Sequence, residues 1–240
     1  MRKTKIIATL GPATDDPKIL TKLLQRVDVV RINLAHGSWG AKDKASHQKK
    51  IRMVRKISKK IKKPIAILVD LKGNKIRIGN FKNEAIELKK NSLITIRFTE
   101  EEISRHDKEI VVNADYVFDN VAVKDTILLD DGLIKLEVKK IQSKKRQLTC
   151  KVHEGGLLLR GKGLEVSNKI INQPGLNEGD KKDLKRLAKL DIDWVALSFV
   201  NQASDVNQAR EVLSGLNSNT KLIAKIERVA AINQLYWIIK

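Results

Sequence analysis

Short apolar runs alternate with amphipathic stretches along this chain, and that rhythm restricts the possible folds more than any other feature. Lys5 to Leu10, Asp28 to Leu34, Ile65 to Asp70, Asp193 to Val200 and Leu222 to Glu227 read as strands buried on both faces. Between them, Ile19-Leu20-Leu23-Leu24, Ile51-Val54-Ile61, Leu184-Leu187-Ala188 and Val206-Ala209-Val212-Leu213 recur at helical spacing. Asp15-Asp16-Pro17 supplies a cap and a first-turn proline for the first helix. Repeated strand-helix units imply parallel strands, in either an open doubly wound sheet or a barrel.

One region breaks the rhythm. From about Asn74 to Val166, short β-like runs and turns replace helices, and Ile134-Leu136-Val138 and Leu148-Cys150-Val152 flank a turn-prone Ser143-Lys144-Lys145 as in an antiparallel hairpin. The expected organisation is a first barrel segment over 1–73 with three strands, an inserted β domain over 74–166, and a second barrel segment over 167–240 with two more. An insertion after the third strand is expected to hang over the carboxyl ends of the strands, where barrel enzymes keep their chemistry.

Composition narrows the function. The 240 residues are 42% hydrophobic, yet no apolar run approaches the roughly 20 residues that cross a bilayer. Gly11-Pro12 interrupts the first apolar segment before a signal-peptide core forms, so a cytoplasmic location without membrane contact is expected. The single cysteine, Cys150, alternates with Leu148 and Val152 and reads as a structural strand side chain. A net charge of +20 admits nucleic-acid or acidic-partner binding as an alternative function. The lysines are nevertheless spread along the chain, aromatics are 4%, and no paired Cys/His spacing or aromatic-interleaved basic motif occurs, which disfavours a dedicated nucleic-acid module.

Particular residues then stand out. Thr4-Lys5-Ile6-Ile7-Ala8-Thr9-Leu10-Gly11-Pro12-Ala13-Thr14 is followed by Arg31-Ile32-Asn33-Leu34-Ala35-His36-Gly37 and by Asp70-Leu71-Lys72-Gly73-Asn74-Lys75-Ile76-Arg77. Later come Leu128-Leu129-Asp130-Asp131-Gly132-Leu133, Lys162-Gly163, Ala196-Leu197-Ser198-Phe199-Val200 and Ala224-Lys225-Ile226-Glu227-Arg228. In that order and spacing they resemble the amino-terminal part of the pyruvate kinases, and the resemblance covers essentially the whole chain. It implies an α/β fold, an incomplete TIM (β/α)₈-type barrel with an inserted small β-barrel lid domain. It also implies phosphoryl transfer from phosphoenolpyruvate to ADP, giving pyruvate and ATP in glycolysis.

That reaction spreads negative charge over phosphoryl oxygens, so it calls for positioned cations and a metal more than for a covalent nucleophile. By the resemblance, Lys225 and Arg31 are the catalytic residues, with Ser198 joining them around the substrate. Arg77 and Lys162 match the nucleotide contacts, and Glu227 matches a ligand of Mg²⁺ (or Mn²⁺). Asn33 and Asp70 match two ligands of a monovalent-cation site whose serine and threonine are replaced here by Ala35 and Leu71. Lys75 stands where potassium-dependent members have glutamate, and together with Lys225-Ile226-Glu227-Arg228 it resembles a second bacterial class. A fixed ammonium there is expected to make K⁺ unnecessary. Each residue also has an ordinary structural role open to it, such as an ion pair at a strand end for Arg31 or a turn cap for Asp70.

After Glu227, Val229, Ile232, Leu235, Tyr236 and Ile239 follow at helical spacing up to Lys240. The family's Ala-Arg-Gly-Asp-Leu-Gly segment does not occur, nor do the later strands and carboxyl-terminal domain. The expectation is therefore a truncated chain, inactive by itself, that self-associates as a homo-oligomer or pairs with a complementing second half. A non-catalytic remnant and a basic binding protein are the alternatives.

Overall fold

A computed structural model describes residues 3–40, 46–99, 103–104, 108–167 and 175–240. The chain divides into two compact units, one made of 1–74 and 174–240 and the other of 75–173.

The first unit opens with β1 (Ile7–Thr9), α1 (Pro17–Leu24), β2 (Val29–Asn33), α2 (His47–Lys60) and β3 (Ala66–Asp70). Asp16 caps α1, its Oδ1 accepting from the amides of Lys18 at 2.7 Å and Ile19 at 3.0 Å, while Pro17 fills the first turn. Lys63 closes the other end of that helix by donating to the carbonyls of Leu24, Gln25 and Val27.

The second unit follows β3 in sequence. It contains β4 (Ala85–Leu88), β5 (Leu93–Phe98), β6 (Glu109–Val112), a short α3 (Val117–Asn120), β7 (Thr126–Leu129), β8 (Ile134–Gln142), β9 (Gln147–Glu154), β10 (Gly156–Leu159) and β11 (Leu164–Val166). Six of these strands form one sheet in the order β11-β7-β8-β9-β5-β6, and β10 pairs with β4 in a second. The β8–β9 hairpin turns through Ser143–Lys145, with Arg146 in the left-handed region, and Cys150 is buried in this unit's own core.

The chain then returns to the first unit with α4 (Glu178–Leu187), β12 (Trp194–Leu197), α5 (Ala203–Ser214), β13 (Lys221–Ala224), α6 (Val229–Asn233) and α7 (Leu235–Ile239). Its sheet runs β1-β2-β3-β12-β13, all parallel and in sequence order. A doubly wound sheet reverses its strand order at a switch point. This one never reverses, so the alternative left open by the sequence resolves to the curled sheet of an incomplete (β/α)₈-type barrel.

Burial on both strand faces, expected from the apolar runs, holds only partly. Val30, Ile32, Ile67, Val69, Val195 and Leu197 are sealed against the helices. On the opposite face the edge strands stay open, with Ile7 at 57% and Ile223 at 37% exposure, because a parallel strand with no neighbour on one side keeps that flank wet. The last amphipathic stretch is also two short helices rather than one, divided at Gln234.

Candidate active site

Register decides which side chains meet. Thr9 lies opposite Arg31, Arg31 opposite Leu68, and Asp70 opposite both Asn33 and Ala196, so these residues share the face turned away from the helices. Asn33 and Asp70 are the last residues of their strands, whereas Arg31, expected at the end of its strand, is the middle residue of β2 and reaches Asp70 with its long side chain. Lys225 and Glu227 follow directly after β13, which ends at Ala224, three residues earlier than the apolar run suggests. The Lys225 amide still donates to the Leu197 carbonyl at 3.0 Å and prolongs the strand direction.

Asp70, 3% exposed, is the hub. Its Oδ2 accepts from Arg31 Nε at 3.0 Å and Nη2 at 2.5 Å, and its Oδ1 accepts from Lys225 Nζ at 3.1 Å and Ser198 Oγ at 3.1 Å. Lys225 also donates to Ser198 Oγ at 2.7 Å and lies 3.4 Å from Glu227 Oε1. Glu227 Oε2 accepts from the amide of Phe199 at 2.9 Å, which Phe199 presents from a left-handed conformation at φ 57°. The result is a compact ionic cluster in which two carboxylates and two cations compensate one another, with Arg31, Lys225 and Glu227 each about a third exposed and so able to meet a ligand.

Several contacts had no reading in the sequence. Thr9 Oγ1 accepts from Arg31 Nη1 at 3.0 Å, and its place in the opening Ala-Thr-Leu-Gly-Pro run was the available signal. Asp180 and Asn177, at the start of α4, clamp the loop after β3: the Gly73 amide donates to Asp180 Oδ1 and Asn177 Nδ2 donates to the Gly73 carbonyl, both at 3.2 Å. Gly73 has φ 67°, and an added Cβ would come within 2.6 Å of the Ser198 Cβ, so only glycine lets this loop press against the cluster. Burial pushes the Asp180 carboxyl above its usual range.

The remaining expected residues have partners of their own. Asn33 Oδ1 accepts from the Ala35 amide at 2.9 Å, and the Leu71 carbonyl accepts from Ser198 Oγ at 2.8 Å. With both Asp70 oxygens engaged as well, each oxygen considered for a monovalent cation already has a protein donor. In the β unit, Lys75 bonds Asp131 at 2.9 Å, Lys162 pairs with Asp130 at 2.7 Å, and Arg77 donates to the Gly161 carbonyl at 2.9 Å. The bond from Lys75, followed by the fields of Lys75, Lys162 and Arg77, holds the Asp131 carboxyl below its ordinary value. These three cations therefore surround one turn, where Asp130 and Asp131 are both left-handed. His36 is exposed. No cluster of three or more His, Cys, Asp or Glu side chains suited to a metal occurs among the described residues. No helix among them is long and apolar enough to cross a membrane.

Comparison with known proteins agrees with this geometry. The family model described as "Pyruvate kinase, barrel domain" matches residues 1–240. Curated pyruvate kinases of Staphylococcus aureus strains USA300, NCTC 8325 / PS 47 and COL are each 34% identical over 236 residues. Those matches take in 98% of this chain and 39% of each relative, so the chain spans about two-fifths of their length. A barrel-type sheet carrying the Asp70 cluster and a family match along its entire length place this chain in the pyruvate kinase family.

Proposed function

We propose that this chain carries the phosphoenolpyruvate-binding part of a phosphoryl-transfer site that acts with ADP in the cytoplasm to give pyruvate and ATP. The observation that carries the reading is the Asp70 cluster, where a buried carboxylate at the carboxyl end of β3 holds Arg31 and Lys225 side by side. Arg31 offers its planar fork to the substrate phosphoryl group. Lys225 faces the charge that develops as the phosphoryl group leaves and an enolate forms, which preorganised cations stabilise without moving. Ser198 fixes Lys225 through its 2.7 Å bond. In the β unit, Arg77 and Lys162 are the proposed contacts to nucleotide phosphates.

Glu227 suits one ligand position of Mg²⁺ or Mn²⁺, since Mg²⁺ keeps several waters and is held by one or two carboxylates together with substrate oxygens. The ion when bound would supply Lewis-acid compensation of phosphoryl charge. Arg31 and Lys225 already neutralise Asp70, and Lys75 supplies a fixed ammonium where potassium-dependent members have glutamate, so turnover is expected to proceed without potassium.

The function is tested in a fusion of these 240 residues with the remaining carboxyl-terminal part of a Staphylococcus aureus relative. Pyruvate formation from phosphoenolpyruvate and ADP that Lys225→Met abolishes is the expected result. A fusion that binds phosphoenolpyruvate yet forms no pyruvate would overturn the reading.

A further inference from the structure

We propose that the outward face of α1 and α2 is a docking surface for the phosphate backbone of double-stranded nucleic acid. Folding sets the basic residues of α1 beside those of α2. Helix α2 carries seven lysines and arginines and no acidic residue. Lys50 is tied to Asp15 at 3.2 Å, and Arg55 to Asp191 and Asp193. Lys49, Arg52, Lys56, Lys59 and Lys60 are exposed, and none has an acidic partner among the described residues. Positions 49, 52, 56 and 59 form one row along the helix. Beside it, α1 exposes Lys18 and Lys22, and Arg26 continues their spacing just beyond the helix end. Among the described residues the acids nearest in sequence are already engaged, Asp15 by Lys50, Asp16 by the α1 amides, and Asp28 by the Ile6 amide and Lys5.

This arrangement is costly for the free protein. Arg52, Lys56 and Lys60 repel at helical spacing, as do Arg55 and Lys59. The carboxyl-terminal dipole of α2 accounts for Lys59 and Lys60 but not for Lys49, Arg52 or Lys56. Helix α4 shows the contrast, since its lysines and arginine are interleaved with acids and two are paired, Lys181 with Glu178 and Arg186 with Asp183. A polyanion would relieve the repulsion on α1 and α2 that acids relieve on α4.

The same face selects the kind of polyanion. The one aromatic ring on the two helices, His47, is buried against Trp39, so this face has no stacking platform for single-stranded bases. The apolar sides, with Leu20, Leu24, Ile51, Val54 and Ile57, are buried in the core, leaving exposed Ile19 as the large apolar group available to a membrane. Two neighbouring rows of cations without bases to read fit phosphate contacts on a duplex, independent of its sequence.

The test is fluorescence anisotropy of a labelled mixed-sequence DNA duplex titrated with the 240-residue chain. Neutralising about four phosphates predicts a loss of about 100-fold in affinity between about 50 and 200 mM salt. Joint substitution Lys49→Glu, Arg52→Glu, Lys56→Glu and Lys59→Glu should weaken binding at the lower salt by about 30-fold or more. The set Lys89→Glu, Lys90→Glu, Lys144→Glu and Lys145→Glu, exposed on the β unit, changes net charge equally and should leave affinity within roughly 3-fold. Circular dichroism reports whether each set folds. If the α2 reversals unfold the chain, Lys49→Gln, Arg52→Gln and Lys56→Gln take their place, with an expected loss of about 10-fold. Equal losses in the α2 and β-unit sets, no binding at low salt, a preference for single strands, or tighter binding to phosphatidylserine vesicles than to the duplex would each overturn the proposal.

Discussion

Asp70 shows how one buried group organises many. Its carboxylate is nearly sealed from water, so without its donors it would be a costly charge, and with them it fixes Arg31, Lys225 and Ser198 in a single arrangement. Asp70→Asn should lower the unfolding free energy by about 1–3 kcal/mol, since Arg31 and Lys225 lose their shared counter-charge while remaining partly hydrated. Urea denaturation measures this, and an unchanged midpoint would mean that the cluster contributes little to the fold. A second residue-scale prediction concerns Asp180, whose folded carboxyl is raised by burial. As pH rises above the ordinary carboxylate range, the unfolded chain loses this proton before the folded one, so the buried group costs stability progressively until pH passes its folded value. Asp180→Asn keeps an acceptor for the Gly73 amide and removes the titration. The stability difference between the two proteins should therefore move in favour of the variant as pH increases, and parallel pH profiles would contradict this.

Among the elements, those fixed by local chemistry were the most legible in the sequence. The Asp16-Pro17 start of α1, the Ser143–Lys145 hairpin and all five parallel strands could be read directly from caps, turns and apolar runs. Asp16→Ala should cost about 1 kcal/mol because two α1 amides lose their acceptor, while any neighbour able to replace the cap would reduce that cost in thermal melts. Strand ends were less legible. Lys225 and Glu227 lie beyond β13, where the chain has left the sheet but Glu227 is still pinned by the Phe199 amide. The candidate site was legible for Arg31, Asp70, Ser198 and Lys225, which sit in dense motifs, and hidden for Asn177 and Asp180. Those two act through contacts with a loop far away in sequence, where no local period or motif marks them.

For the whole molecule, a sheet that winds in one direction leaves β1 and β13 as edges, and a large apolar surface accompanies them. Ile7, Ile223, Ile226, Ile232, Trp237 and Ile239 are all exposed. The same sheet brings all of the Asp70 cluster onto one face, which is why the fold and the candidate chemistry stand or fall together. In the fusion with the relative's carboxyl-terminal part, pyruvate formation should be nearly equal in sodium-only and potassium-containing buffer, and strict dependence on potassium would show that Lys75 does not play the cation's part. The central claim, that the Asp70 cluster receives phosphoenolpyruvate, is tested most directly by titrating it into the 240-residue chain with Mg²⁺ present. The account predicts saturable heat that Arg31→Met weakens by about 10-fold or more, in line with losing one charge-assisted contact of roughly 1.5–3 kcal/mol. Binding that is absent in the folded chain, or that survives both Arg31→Met and Lys225→Met unchanged, would contradict it.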